Sequence, residues 1–317
     1  MHIPVVVQDQ RCRCDAAREI TADRDSTEAS NLQLSRFHAT SGVLESLSLP
    51  NSLTTTRFMP SCTRLPTGEI LRKARLNDAG VGWMSIALDV HRTTVTFRQV
   101  PVVNDLRFLR SHRPMCVGGA VYGFTRGNVA DTRFVRVDWR SGETEDLSNP
   151  PTNGSDVRGD YASVCTSEGI FYCGGWHSSS TASRAAELFN LTTKHWTTLP
   201  EMLIARREHA ATVVDEFIYV TGGWSDDCLS ACERFNRQTH RWERTADVLQ
   251  PRCCHAGFVV DGQLYVFGGQ SDRTVTPVDT MEAYDARADK WREVPLRDER
   301  DKEWAGPSRR NQVTICC

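Results

Sequence analysis

Three stretches of the chain drive a short apolar run into two adjacent glycines: "EGIFYCGGW" at 168–176, "EFIYVTGGW" at 216–224 and "GQLYVFGGQ" at 262–270. Glycine is poor strand material, so a pair of glycines closing the same run three times marks a constraint on the fold. The pairs are Gly174-Gly175, Gly222-Gly223 and Gly268-Gly269, and their second members stand 48 and 46 residues apart. Downstream of each comes an acid, a residue, an aromatic and then a tryptophan, in "ELFNLTTKHW" (187–196), "ERFNRQTHRW" (233–242) and "EAYDARADKW" (282–291). Trp196, Trp242 and Trp291 keep spacings of 46 and 49. Upstream of each run sits an arginine followed by small residues, at Arg158, Arg206 and Arg252. Markers that hold one order at one period define an internal repeat of about 47 residues.

Each unit contains several short alternating runs separated by turn residues and no apolar period of 3.6, the pattern of a small antiparallel sheet. A lone sheet of this size cannot bury both faces, so the copies must stack, and radial stacking gives a propeller. The glycines then have a role. Strands that converge on a central channel need close backbone approach and positive φ, and a Cβ hinders both. The late tryptophan is expected between neighbouring blades, where burying roughly 150–250 Å² is worth at most about 4–6 kcal/mol.

Composition narrows the classes of function. With 38 basic against 40 acidic residues the formal charge is −2, which argues against a global electrostatic fit to nucleic acid or to an anionic membrane. No window approaches the roughly 18 apolar residues of a membrane span. The start, "MHIPVVVQDQRCRC", lacks the charged opening and long apolar run of a signal peptide, so a cytoplasmic location is the expectation. Twelve cysteines among 317 residues fall far below the density of a disulfide scaffold and are expected as thiols. Cys12 with Cys14, Cys253-Cys254-His255 and Cys316-Cys317 all lack paired CxxC spacing. Adjacent cysteines in a strand point to opposite faces. No metal and no other cofactor is therefore expected.

Diglycine, spaced aromatic and tryptophan at this period resemble kelch repeats. The likeness covers about 155 to 296 in three full units. A weaker unit precedes them: "VGGAVYGFTR" (117–126) aligns with "VDGQLYVFGG" (260–269), with Thr125-Arg126 at the diglycine position and Thr144 at the tryptophan position. After Trp291 a charged loop leads into "NQVTICC" (311–317), which matches the opening strand of a further unit. Ahead of the repeats, apolar residues at helical spacing (Leu32, Leu34, Phe37; Val43, Leu44, Leu47) suggest paired amphipathic helices. With "PNSL" (50–53), "RFM" (57–59), "GWMSIALDVHR" (82–92) and "FRQVPVVNDLRFL" (97–109), this region is similar to the BACK segment of BTB-BACK-kelch proteins. The resemblance implies an N-terminal segment over 1–28, a mainly α-helical BACK-like region over 29–110, and an incomplete all-β kelch propeller over 111–317. Its units would run about 112–155, 156–204, 205–250 and 251–300, with a fragment at 301–317 bordering open space. The 28 residues before Ala29 are too few for a BTB fold, so a partial chain is expected, with a genuine short form as the alternative.

The resemblance implies a protein-interaction module, with the propeller recruiting a substrate for a cullin-RING ubiquitin ligase of the cullin-3 type. In such proteins the side chains after the diglycine and those just ahead of the opening strand face the binding bowl. Here these are Trp176, Trp224 and Gln270, and Asp160, Glu208 and Cys254, joined by loop residues His177, Ser178, Ser225, Asp226, Asp227, Ser271, Asp272 and Arg273. Trp176 and Trp224 either anchor a partner or cover the blade rim. Asp226 and Asp227 with Glu208 favour a basic peptide. An actin-binding role is the alternative, and a kelch-type copper oxidase a remote one. The nine histidines show no convergent pattern, His209 and His255 share a slot suited to core packing, and no catalytic motif is present. The expectation is a non-enzyme.

Overall fold

The computed structural model describes 115–124, 133–138, 141, 143–151, 159–176, 181–272 and 276–296 with side chains. Eight further strands are described as backbone only. In chain order the strands begin Val5–Asp9 (β1), Gln33–His38 (β2), Val43–Leu47 (β3), Arg57–Arg64 (β4), Ile70–Leu76 (β5), Gly80–Asp89 (β6) and Thr94–Val100 (β7). There follow Met115–Val117 (β8), Ala120–Phe124 (β9), Phe134–Asp138 (β10), Thr144–Leu147 (β11), Ala162–Cys165 (β12), Ile170–Cys173 (β13), Ala186–Phe189 (β14) and Trp196–Leu199 (β15). The rest are Ala210–Val214 (β16), Phe217–Thr221 (β17), Cys232–Asn236 (β18), Arg241–Thr245 (β19), Ala256–Val260 (β20), Gln263–Phe267 (β21), Met281–Asp285 (β22), Lys290–Val294 (β23) and Val313–Cys316 (β24). Among the described residues they form six four-stranded antiparallel sheets. Five are consecutive meanders, β4 to β7, β8 to β11, β12 to β15, β16 to β19 and β20 to β23, and the sixth has the order β24-β1-β2-β3.

The repeated sequence explains each sheet locally. The second strands, "IFYC", "FIYVT" and "QLYVF", are rich in aromatic and branched residues and are almost wholly buried, because each lies inside its sheet with a neighbouring blade on either face. Fourth strands such as "RWERT" alternate and are largely exposed. Tight turns set the register. Gly118 and Gly119, at φ +58° and +82°, form the two-residue turn between β8 and β9, so "VGGAV" is a hairpin. Between third and fourth strands the residue after the aromatic folds back on its own loop. The Oδ1 of Asn190 accepts from the N–H groups of Thr192 and Thr193, that of Asn236 from Gln238 and Thr239, and that of Asp285 from Arg287 and Ala288.

The core lies between blades. One cluster joins Phe171, Cys173 and Leu199 to Ile218, Val220 and Phe235 across two sheets, and a second joins Tyr219 and Cys232 to Leu264, Val266 and Trp291. The repeat tryptophans stitch the same seams: Nε1 of Trp196 donates to Ser148 O (2.7 Å), Trp242 to Pro200 O (2.7 Å) and Trp291 to Ala246 O (2.9 Å). Each carbonyl belongs to the end of the preceding blade. The expected inter-blade position of the tryptophan is thus met, with a hydrogen bond added to the apolar contact.

A second stitch joins two markers that the sequence shows separately. Arg206 is fully buried and donates from Nη1 to Gly222 O (2.6 Å) and Ala231 O (2.7 Å), and from Nη2 to Glu233 Oε1 (2.8 Å). Glu233, equally buried, also accepts from the N–H of Leu203 (2.7 Å). One period later Arg252 repeats the pattern with Gly268 O, Thr280 O and Glu282. Meanwhile the carbonyls of Arg206 and Arg252 accept from Gly175 and Gly223 of the preceding blade. Each arginine therefore ties one blade's diglycine to the next. Burial pulls both guanidinium pKa values down from their ordinary value, and the partner glutamate works against that.

Two expectations are corrected by the backbone. Instead of the helices expected over 31–49, the structure has strands β2 and β3 paired with each other, and β4 to β7 occupy most of the rest of the BACK-like stretch. The apolar runs there are only about half the roughly 12 residues that an isolated helix needs. Short apolar runs do not separate helix from strand by period alone. Nor does the strand at the C-terminal end border open space. β24 pairs with β1, Val6 opposite Cys316 and Asp9 opposite Val313. The inner strands β4, β8, β12, β16, β20 and β24 pack in succession, and β1 packs against β4, closing a ring of six blades.

Candidate functional site

The diglycines open the site. Gly174 and Gly222 lie in the left-handed region at φ +64° and +55°, and a Cβ on them would come within 2.4 Å of Arg206 O and 2.3 Å of Arg252 O respectively. The following glycines turn the chain out of the sheet, and the next residue bridges back to the linker ahead of its own blade's first strand: Trp176 to Gly159, Trp224 to Arg207 and Gln270 to Cys253. At the adjoining slot stand Asp160, Glu208 and Cys254, at φ +52°, +56° and +54°. Left-handed backbone is uncommon outside glycine, and here it recurs at one slot in three successive blades. The N–H of Glu208 donates to Asp160 O (2.8 Å) and that of Cys254 to Glu208 O (2.8 Å), so the slots are linked from blade to blade.

Side chains group around this chain of bonds. The indole Nε1 of Trp176 donates to Asp160 Oδ2 (2.8 Å), and Trp176 and Trp224 are both half-buried. Asp226 and Asp227 are exposed in the tight loop after Trp224, where Asp227 Oδ1 accepts from the N–H of Cys228 (2.8 Å). Cys254 Sγ donates to Glu208 Oε2 (3.4 Å), and the Sγ atoms of Cys228 and Cys253 are 3.3 Å apart. Burial pushes Cys232 and Cys116 up to about 11.

Two comparisons bear on what this face belongs to. The family model described as the KLHDC2/KLHL20/DRC7 Kelch-repeats domain matches residues 111–315, about two thirds of the chain. The chain belongs to this Kelch-repeat family. No curated protein matches it in a sequence search.

For a kelch propeller the expected bowl positions fall as follows. Asp160 with Trp176, and Glu208 with Cys254, are brought into contact. Gln270 is only 2 % exposed and Cys254 7 %, so neither offers much surface to a partner. Ser225 and Ser271 close their loops by donating locally, Ser225 N–H to Asp227 O and Ser271 N–H to Thr276 O. Asp272 Oδ1 accepts from the N–H of Thr276 (3.2 Å) and is half-exposed. His177, Ser178, Arg273 and Arg158 lie outside the described residues. His209 and His255 are buried, Nε2 of the first against Cys173 Sγ (3.3 Å) and of the second against Thr221 Oγ1 (2.9 Å), in keeping with a packing role. The reading from sequence missed Cys228 and the convergence of Cys253 with Cys254. Alternation of side chains along a strand sends neighbours apart, but Cys254 is left-handed, so the rule fails there.

Proposed function

We propose that this kelch propeller recruits a protein partner through the face built by Asp160, Glu208, Trp176, Trp224 and the Asp226-Asp227 loop, and that the partner presents a basic extended segment. The observation that carries the reading is the blade-to-blade chain of left-handed residues, which holds Asp160 and Glu208 beside half-buried tryptophans and next to two exposed aspartates. Tryptophan supplies anchor area, and carboxylates beside it supply sign selectivity. Kelch propellers typically serve as protein-binding scaffolds, which fits a face with no catalytic constellation among the described residues. The finer part of the proposal is a cytoplasmic role as substrate receptor of a cullin-RING ubiquitin ligase, supported by the resemblance to BTB-BACK-kelch adaptors.

Fluorescence anisotropy with charge-scrambled peptide sets tests the binding half. Basic peptides should bind, weaken as salt rises, and weaken further with Asp226→Asn/Asp227→Asn and with Glu208→Gln. Equal affinity for acidic and basic peptides would reject the face as drawn. The ligase half is tested separately, by whether a captured partner is ubiquitinated in a reconstituted cullin-3 reaction only when the chain is present.

A further inference from the structure

We propose that Glu208, Cys253 and Cys254, completed by Cys228, form a binding site for a thiophilic divalent cation, with Zn(II) the best fit. The ligand atoms of Glu208, Cys253 and Cys254 all lie within 4.8 Å of one another. Cys228 adds a third sulfur, and so a fourth ligand, 3.3 Å from the sulfur of Cys253. Two thiolates on one tetrahedral zinc, each about 2.3 Å from the metal, sit about 3.8 Å apart. The Cys228–Cys253 spacing lies within about half an ångström of that, and the 4.8 Å bound on Glu208, Cys253 and Cys254 calls for side-chain movements of about an ångström, not a new backbone.

The backbone arranges this convergence. Cys253 is held by paired hydrogen bonds with Gln270, its N–H to Gln270 O (2.9 Å) and Gln270 N–H to its own carbonyl (3.0 Å). Cys254 then turns left-handed at φ +54°, which returns its thiol toward its neighbour's. Glu208 reaches the group from the equivalent slot of the preceding blade, and Cys228 from that blade's outgoing loop, where it bridges Trp224. The donor set thus spans the seam between two blades. Three sulfurs and one oxygen suit a borderline-soft cation and not calcium or magnesium, which take oxygen.

Burial is graded in a way that serves binding. Cys253 and Cys254 are 1 % and 7 % exposed, whereas Glu208 and Cys228 are half-buried and leave an approach from solvent. On binding, each thiol releases its proton to solvent and its sulfur lone pair goes to the metal, with no change of oxidation state. Cys228 gives up the hydrogen bond it donates to Gln270 O. Zn(II) with Glu208 and two thiolates carries one net negative charge, and the third thiolate makes it two. Contact of Glu208 and Cys228 with water accommodates that charge. Because protons are displaced, affinity rises with pH. The site shares Glu208 with the peptide-binding face but does not depend on that reading, since the cysteines that hold the metal lie outside it.

The full chain, reduced and freed of metal with a chelator, is titrated with Zn(II) and with Co(II), whose thiolate complexes show a near-ultraviolet charge-transfer band. One equivalent should bind, with that band present. Zn(II) should shield Cys228, Cys253 and Cys254 of the unaltered chain from alkylation, read by peptide mass spectrometry, and leave the exposed Cys165 reactive. Cys253→Ser and Cys254→Ser should each weaken binding by at least about tenfold, and Cys165→Ser should not. Binding that survives both cysteine variants, shielding spread evenly over all cysteines, or a Cys228–Cys253 disulfide that takes up no metal after reduction would each overturn the proposal.

Discussion

Gly222 and Gly262 share a left-handed backbone, φ +55° and +77°, but differ in what surrounds them. A Cβ at Gly222 would meet Arg252 O at 2.3 Å, whereas nothing lies within 4 Å of one at Gly262. Gly262→Ala should cost only the left-handed penalty, about 1–2 kcal/mol. Gly222→Ala adds overpacking of roughly 1–3 kcal/mol, and urea unfolding of the two variants should separate them. Equal losses would mean that φ alone, and not crowding, selects glycine at the end of the inner strands. The Arg206–Glu233 pair is argued the same way. Arg206→Met leaves Glu233 charged and buried, a loss of about 3–5 kcal/mol, and a double-mutant cycle with Glu233→Gln should show strong coupling because both single changes break the same pair. Additive losses would show that the two side chains act independently. Sequence displayed both residues as repeat markers. It could not pair them, because their contact depends on the linker between blades folding back onto the third strand.

At the scale of the element, the turns between third and fourth strands carry an inter-blade contact of their own. Asp289, left-handed at φ +48°, accepts on Oδ1 from the N–H of Ala246 (2.7 Å) in the preceding blade and from the hydroxyl of Tyr284 (2.7 Å). These two hydrogen bonds, the backbone one foremost, hold its carboxyl below the usual range. A depressed folded pKa contributes stability that is present above the unfolded value of about 3.9 and is lost as pH falls through the folded one. Asp289→Asn keeps an acceptor and tolerates the left-handed backbone but cannot ionise, so it should flatten the acid limb of the melting profile by lowering melting at neutral pH while leaving melting at low pH nearly unchanged. Identical acid limbs in the two proteins would remove Asp289 from the account. Such turns were legible, since Asn190, Asn236 and Asp285 recur at one offset from the tryptophan. The strands of 33–47 were not, because their apolar spacing also fits a helix and what selects β2 is its partner β1. No local pattern announces that partner.

For the whole molecule, closure of the ring rests on one sheet drawn from both ends of the chain: β24 supplies the inner strand and β1 to β3 the rest. Repeat assemblies gain stability from each blade-to-blade interface, so an open ring loses two interfaces beside the gap together with the ladder itself. Deleting 311–317 removes four paired positions between β24 and β1. At about 1 kcal/mol per net hydrogen bond, and about 2–4 °C per kcal/mol for a protein of this order, the melting temperature should fall by roughly 8–16 °C. A fall alone would also follow from any damaging truncation, so connectivity needs its own control. β24 runs antiparallel to β1 with Cys316 opposite Val6, which places the end of one beside the start of the other. Moving 311–317 ahead of Met1 therefore makes the two strands a hairpin, with Cys317 and residues 1–4 as its loop. That permuted chain should melt at or above the temperature of the original, because the same pairs form with a far shorter loop to close. If it melts like the truncated chain, the strand at 313–316 does not close the ring through β1, and the propeller must be held shut in another way.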